Sequence, residues 1–148
     1  RFGTGGYLPV ILLREHHEPP QVFELYRAAD VVYVSSLHDG MNLVAKEFVA
    51  ARDDEAGVLV LSQFTGAAQE MPEAFLVNPY DIEQASGALA AALSMPPAEQ
   101  RQRMHALRRH IAEFNVYRWA GRMLVDAARL RRRQRVRLTF DSLSDEAA

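Results

Sequence analysis

Four apolar runs punctuate the chain: Tyr7–Leu13, Val31–Val34, Val58–Leu61 and Ala74–Val77. They lack the polar–apolar alternation of a strand with one wet face. A short continuous apolar run is what a strand covered on both faces looks like. Pro9 removes a ladder donor from the first run, which assigns that strand to an edge or to an early position. Helical spacing fills the intervals. Pro19-Pro20 opens a stripe of Val22, Leu25, Tyr26 and Ala29, and an alanine-rich segment with Phe48, Val49 and Ala51 follows Asn42. Ala85, Leu89 and Leu93 follow Asp81. Met104, Leu107, Ile111 and Phe114 follow Pro96-Pro97. Val116, Trp119, Met123, Ala127 and Leu130 follow Asn115, with Trp119 expected as a packing anchor.

Strands alternating with helices predict an α/β fold with a parallel, doubly wound, Rossmann-like sheet. Leu12, Val32, Val34, Leu59, Leu61 and Val77 should be buried in it. Asp39, Ser62 and Asn78 should share the edge beyond the strands' C-terminal ends, where such sheets gather ligands. Residues 1–133 are expected to form one domain with C-terminal helices. Residues 134–148 are expected to be a basic, then acidic, disordered tail, frayed from Thr139 on. The charged stretch Arg52-Asp53-Asp54-Glu55 reads as a surface connection, and the Arg129–Arg137 run as a solvated helix end.

The stretch from Ser35 to Glu47 carries the candidate chemistry. A buried strand enters it, Asp39-Gly40 forms a turn, and Asn42 can cap the helix that leaves. The first turn of a helix has backbone N–H groups without internal partners, and the macrodipole adds partial positive charge there. Gly40, with no Cβ, lets a ligand approach the backbone. The N–H groups near Asn42, Leu43 and Val44 would then face a phosphate, and Glu47 lies one turn along on the face of Leu43. Many strand–turn–helix units bind nothing, so the pattern alone leaves a purely structural turn standing. Elsewhere the bland readings prevail. His16 and His17 suit a polar loop better than a metal site, Asp81 with Gln84 resembles a capping box, Phe64 reads as core rather than lid, and His105 and His110 read as surface residues.

The literal residues add a resemblance. Asp39-Gly40-Met41-Asn42-Leu43-Val44-Ala45-Lys46-Glu47 resembles the donor-sugar motif of the trehalose-6-phosphate synthase family of retaining glycosyltransferases. Gly57-Val58-Leu59-Val60-Leu61-Ser62-Gln63-Phe64-Thr65-Gly66-Ala67-Ala68 and Val77-Asn78-Pro79-Tyr80-Asp81 resemble the same family in the same order. The resemblance runs from about Gly6 to the helix of Trp119. It implies the C-terminal, nucleotide-sugar-binding part of a GT-B fold, whose last helix crosses back towards the N-terminal domain. It implies that Asp39 binds the donor glucose hydroxyls, that the backbone of Gly40, Met41 and Asn42 lines the sugar, that Leu43 and Val44 donate N–H groups to the diphosphate, and that Glu47 holds the ribose. His38 stands where the family commonly has arginine. The implied reaction transfers glucose from UDP-glucose to glucose 6-phosphate, giving trehalose 6-phosphate, without metal or cofactor. The family's arginine–lysine pair and acceptor domain fall upstream of Arg1, so no catalytic residue is assigned here and the chain reads as a fragment inactive alone. A glucosylglycerol-phosphate synthase, a pseudo-glycosyltransferase and a non-catalytic regulatory domain that binds a nucleotide sugar are the alternative readings.

Composition narrows the partners. The 148 residues are 49% hydrophobic and carry a formal net charge of -2, which suits a globular domain and argues against a general nucleic-acid binder. No cysteine is present, which excludes disulfides and thiol chemistry and fits a cytoplasmic protein. No apolar run is long enough to span a bilayer, so no membrane partner is expected. A homo-oligomer is compatible with the sequence.

Overall fold

The structure, a computed structural model, describes residue 3 and residues 5–145, with side chains as far as Gln134. Helix α1 (Pro19–Ala28) leads to strand β1 (Val31–Val34), helix α2 (Leu43–Ala51) and strand β2 (Val58–Ser62). A 3₁₀ turn (Gly66–Gln69) precedes strand β3 (Phe75–Val77), and helices α3 (Ile82–Leu93), α4 (Pro97–Glu113) and α5 (Val116–Asp145) complete the order. The sheet is β1-β2-β3, parallel throughout, with Val31 opposite Val58 and Val60 opposite Phe75.

The pleat divides the apolar residues of β2 between two cores, which explains why that run has no polar alternation. Leu59 and Leu61 pack with Phe48 and Val49 of α2 and Met104 and Leu107 of α4. Val58 and Val60 pack with Val77, Ala92 and Met95 on the α3 side. Every residue of β2 is buried, so the central strand is covered on both faces. The sheet is thus parallel and doubly wound, as expected.

Several local expectations hold and others do not. Val34, Leu59, Leu61 and Val77 are buried in the sheet, while Val32 is only half-buried against the core. The strand expected at Tyr7–Leu13 does not form, and Leu12 is 70% exposed. The outer edges of β1 and β3 are unpaired among the described residues, yet residues 7–13 join neither, and Pro9 withholds a ladder donor that such pairing would use. Trp119 is not an anchor but 57% exposed, and Val116, Tyr117 and Leu124 are exposed with it, because no element among the described residues covers α5. The α5 backbone is helical to Asp145, past the boundary expected at Arg133. Residues 146–148 of the expected tail, and the Arg135 and Arg137 side chains, lie outside the described residues.

Arg52 is the clearest correction. The charged stretch predicts a surface position for it, yet it is only 5% exposed. Its Nη1 donates to the carbonyls of Tyr26, Arg27 and Ala29 at 3.2, 2.9 and 2.7 Å, and its fork grips Asp54 at 2.9 and 3.0 Å. It thus closes the C-terminal end of α1, where carbonyls lack partners and the dipole favours a cation. Such a charge tolerates burial because five hydrogen bonds satisfy it. Asp81 caps α3 as expected, accepting from Gln84 N at 2.9 Å. The box is not reciprocal, however: Gln84 Oε1 accepts from Asn78 N at 2.6 Å. His105 is exposed and faces Glu55 at 2.7 Å, whereas His110 is half-buried and stacked on Phe114.

Candidate functional site

The parallel sheet sends β1, β2 and β3 out at one edge, where Ser62 ends β2 and Asp39 and Asn78 follow β1 and β3, as expected. Two of the loops are joined there. Asp39 N donates to the Phe64 carbonyl at 3.3 Å, Gly66 N to the Asp39 carbonyl at 2.9 Å, and Ala67 N to the Met41 carbonyl at 2.8 Å. Asp39 and Thr65 therefore form a parallel bridge beyond the sheet proper. Thr65 and Ser62 are buried beneath it, with Thr65 Oγ1 donating to the Ser62 carbonyl at 2.9 Å. Gly66 is required at this crossing, because a Cβ there would overlap the Gly40 carbonyl.

On this support the Asp39 carboxylate folds the turn. Its Oδ1 accepts from the Met41 and Asn42 backbone N–H groups, each at 3.0 Å, and its Oδ2 accepts from Asn42 Nδ2 at 2.9 Å. The Met41 amide, then the Asn42 side chain, hold the carboxyl below the usual carboxylate range. Asn42 stands at φ 71°, a left-handed position that asparagine tolerates. Its Oδ1 accepts from Ala45 N at 2.9 Å, making it the N-cap of α2 as the sequence predicted.

Of the three donors the sequence singled out, the Asn42 N–H is already taken by Asp39 Oδ1 and two remain. Among the described residues, the Leu43 and Val44 N–H groups, in the first turn of α2, have no hydrogen-bond partner. Met41, Leu43 and Val44 are exposed around them, and no Cβ built on Gly40 would meet a neighbour, so that side of the turn is open. Glu47 is half-buried one turn along α2, accepting from the Tyr26 hydroxyl at 3.3 Å. Phe64 is 38% exposed, not core, and its ring meets Tyr80 edge-on at 6.0 Å between centroids. His38 is exposed beside Asp39. Among the described residues no group of three acidic or histidine side chains could hold a metal ion, and no helix is long and apolar enough to cross a membrane.

Three residues of this arrangement went unread in the sequence. Gly66 lies within the second family-like stretch with no role legible there, since only the fold shows which loop crosses it. Tyr26 looked like packing, and Arg52 like surface charge.

Residues 1–129 match the family model for glycosyltransferase family 20. The chain belongs to glycosyltransferase family 20. A similar member of the family is a trehalose-6-phosphate synthase of Klebsiella pneumoniae subsp. pneumoniae, 47% identical over 127 residues, which cover 85% of this chain and 27% of that protein. Among solved structures, a trehalose-6-phosphate synthase matches at TM-score 0.81 and 41% identity, over 84% of this chain and 28% of that one, and an E. coli structure bound with UDP-2-fluoro glucose matches with the same values. A UDP-forming alpha,alpha-trehalose-phosphate synthase from Burkholderia xenovorans, in complex with glucose-6-phosphate, matches at TM-score 0.78 and 45% identity, over 81% of this chain and 27% of that one. The chain spans about a quarter of the length of these family 20 relatives.

Proposed function

We propose that this chain is the donor-binding part of a retaining glycosyltransferase that moves glucose from UDP-glucose to glucose 6-phosphate, giving trehalose 6-phosphate. The observation that carries the reading is the pair of unpartnered N–H groups of Leu43 and Val44, open at a helix N-terminus, in a chain of this family. Two backbone donors and the positive end of α2 suit a diphosphate, which needs the same stabilisation more strongly as it departs. The glucosyl unit would lie over Asp39, Gly40, Met41 and Asn42. Asp39 Oδ1 already accepts two amides, so Oδ2, with one partner, is the oxygen with capacity for a sugar hydroxyl. Glu47 would take the ribose. The relatives' complexes with a UDP-glucose analogue and with glucose-6-phosphate support this choice of donor and acceptor. A cytoplasmic setting fits the lack of cysteine.

A complete synthase made by grafting residues 1–129 in place of the matching segment of the Klebsiella pneumoniae relative tests the reading. It should release UDP from UDP-glucose only when glucose 6-phosphate is present. A folded graft that neither binds UDP-glucose nor releases UDP contradicts it.

A further inference from the structure

The stripe Val22, Leu25, Tyr26 and Ala29 asks only for apolar surface at position 26, and phenylalanine would supply the same ring. The phenol does something a packing residue does not. Its hydroxyl donates to Glu47 Oε2 at 3.3 Å, across 21 positions of sequence, joining α1 to α2. The contact is long for a hydroxyl–carboxylate bond, but both ends of the tyrosine are fixed. Its ring meets Phe23 and Phe48 edge-on at 6.1 and 6.2 Å, and its carbonyl accepts from Arg52. Burial, and then the Glu47 charge, push the phenol above its ordinary value, so it remains a donor at neutral pH.

Glu47 is the complement. Among the described residues it has no other hydrogen-bond partner and no ion pair, although Lys46 beside it binds Glu70 at 2.6 Å. Its Oε1 is therefore available. Four residues of helix put Glu47 roughly 6 Å along the axis from Leu43, about the step from a phosphate to the ribose joined to it. A glutamate free to sample rotamers would lose that freedom on accepting a ribose hydroxyl, whereas one already held on its other oxygen loses less.

We propose that Tyr26 is a positioning residue for nucleoside diphosphate sugars, holding Glu47 by one carboxylate oxygen so that the other receives the donor ribose. The inference rests on the donor-binding reading above and deepens it.

The test is Tyr26→Phe in the grafted synthase, assayed with UDP-glucose and with its 2′,3′-dideoxyribose analogue. The variant keeps the ring, and its thermal midpoint should stay near that of the parent. KM for UDP-glucose should rise about 5- to 10-fold, less than the roughly 10- to 100-fold of a whole charge-assisted hydrogen bond, because the variant loses the positioning of Glu47 and not Glu47 itself. The kcat should change little, because a ribose contact is made equally in ground and transition states. KM for the dideoxy donor should not move, so the parent's preference for the ribose donor should shrink by the same factor. An unchanged preference, or an equal rise for both donors, overturns the role of Tyr26. A parent that does not distinguish the two donors overturns the assignment of Glu47 to the ribose instead.

Discussion

The Gly66 N–H donates to the Asp39 carbonyl at 2.9 Å, at a crossing so close that the Gly40 carbonyl occupies the place of a Gly66 Cβ. The loop after β2 is thus the support on which the turn after β1 rests. Two loops far apart in sequence make one site because parallel strands release them at the same edge.

Gly66→Ala in the grafted synthase should therefore displace the 39–41 turn rather than unfold the domain. A misplacement of about 1 Å can cost on the order of 100-fold in rate, whereas overpacking costs roughly 1–3 kcal/mol of stability. The expected result is a loss of about 10- to 100-fold in kcat/KM for UDP-glucose, with the thermal transition still cooperative. Parent kinetics in this variant would show that the crossing does not govern the site.

Asp39→Ala removes the acceptor that folds the turn and, on the proposed reading, a contact to the donor sugar. A charged hydrogen bond that tightens in the transition state is worth roughly 1.5–3 kcal/mol, so kcat/KM should fall by about 10- to 100-fold. Steady-state kinetics on the graft decide it. The apolar core stays intact because the side chain that rests on Asp39 is the polar Asn42 of the turn, so loss of the cooperative unfolding transition would contradict this account.

The same carboxylate gives a pH dependence. Its folded value lies below the ordinary 3.8, because the Met41 amide and the Asn42 side chain stabilise the ionised form. The order it confers on the turn is fully present above the unfolded value and is lost as pH falls through the lower folded one. Amide chemical shifts of Met41 and Asn42, followed by NMR from pH 6 downward, should titrate together below the ordinary carboxylate value. A midpoint at or above that value would contradict the hydrogen-bonded turn.

Arg52 should be a stability residue with no direct part in donor chemistry. Removing it frees the carbonyls of Tyr26, Arg27 and Ala29 and leaves Asp54 without its fork. Arg52→Ala should cost about 2–4 kcal/mol, chiefly through the α1 carbonyls left without donors, since the Asp54 side chain is half exposed. Arg52→Lys should recover only part of this, since an ammonium cannot reproduce the planar fork. Denaturant unfolding of residues 1–148 measures both, and a loss under about 1 kcal/mol for alanine would show that the network is weak.

What the sequence made legible follows from how local each signal is. β2 was readable because apolar residues on both pleat faces exclude any half-exposed strand, and Asn42 because a cap bonds its own helix. Asp39, Ser62 and Asn78 could be placed on one edge from the parallel order alone. Leu12 misled because an apolar run says nothing about whether it joins an available sheet edge, and residues 7–13 join neither free edge of this sheet. Trp119 misled in the same way, as α5 carries an apolar stripe that no described element covers. Arg52 and Gly66 were illegible for another reason: their roles depend on what crosses them in space, the end of α1 in one case and the Gly40 carbonyl in the other.

The central claim is that the first turn of α2 receives the donor diphosphate, and amide NMR of residues 1–148 titrated with UDP-glucose tests it most directly. A helix N-terminus contributes about 0.3–1 kcal/mol and each backbone bond roughly 1 kcal/mol, so after association entropy the affinity should be on the order of millimolar. Binding should weaken with added salt. The account predicts that the amide shifts concentrate at Met41 to Ala45, with Leu43 and Val44 moving most. Saturable shifts elsewhere on the chain, with Leu43 and Val44 unmoved, would contradict it.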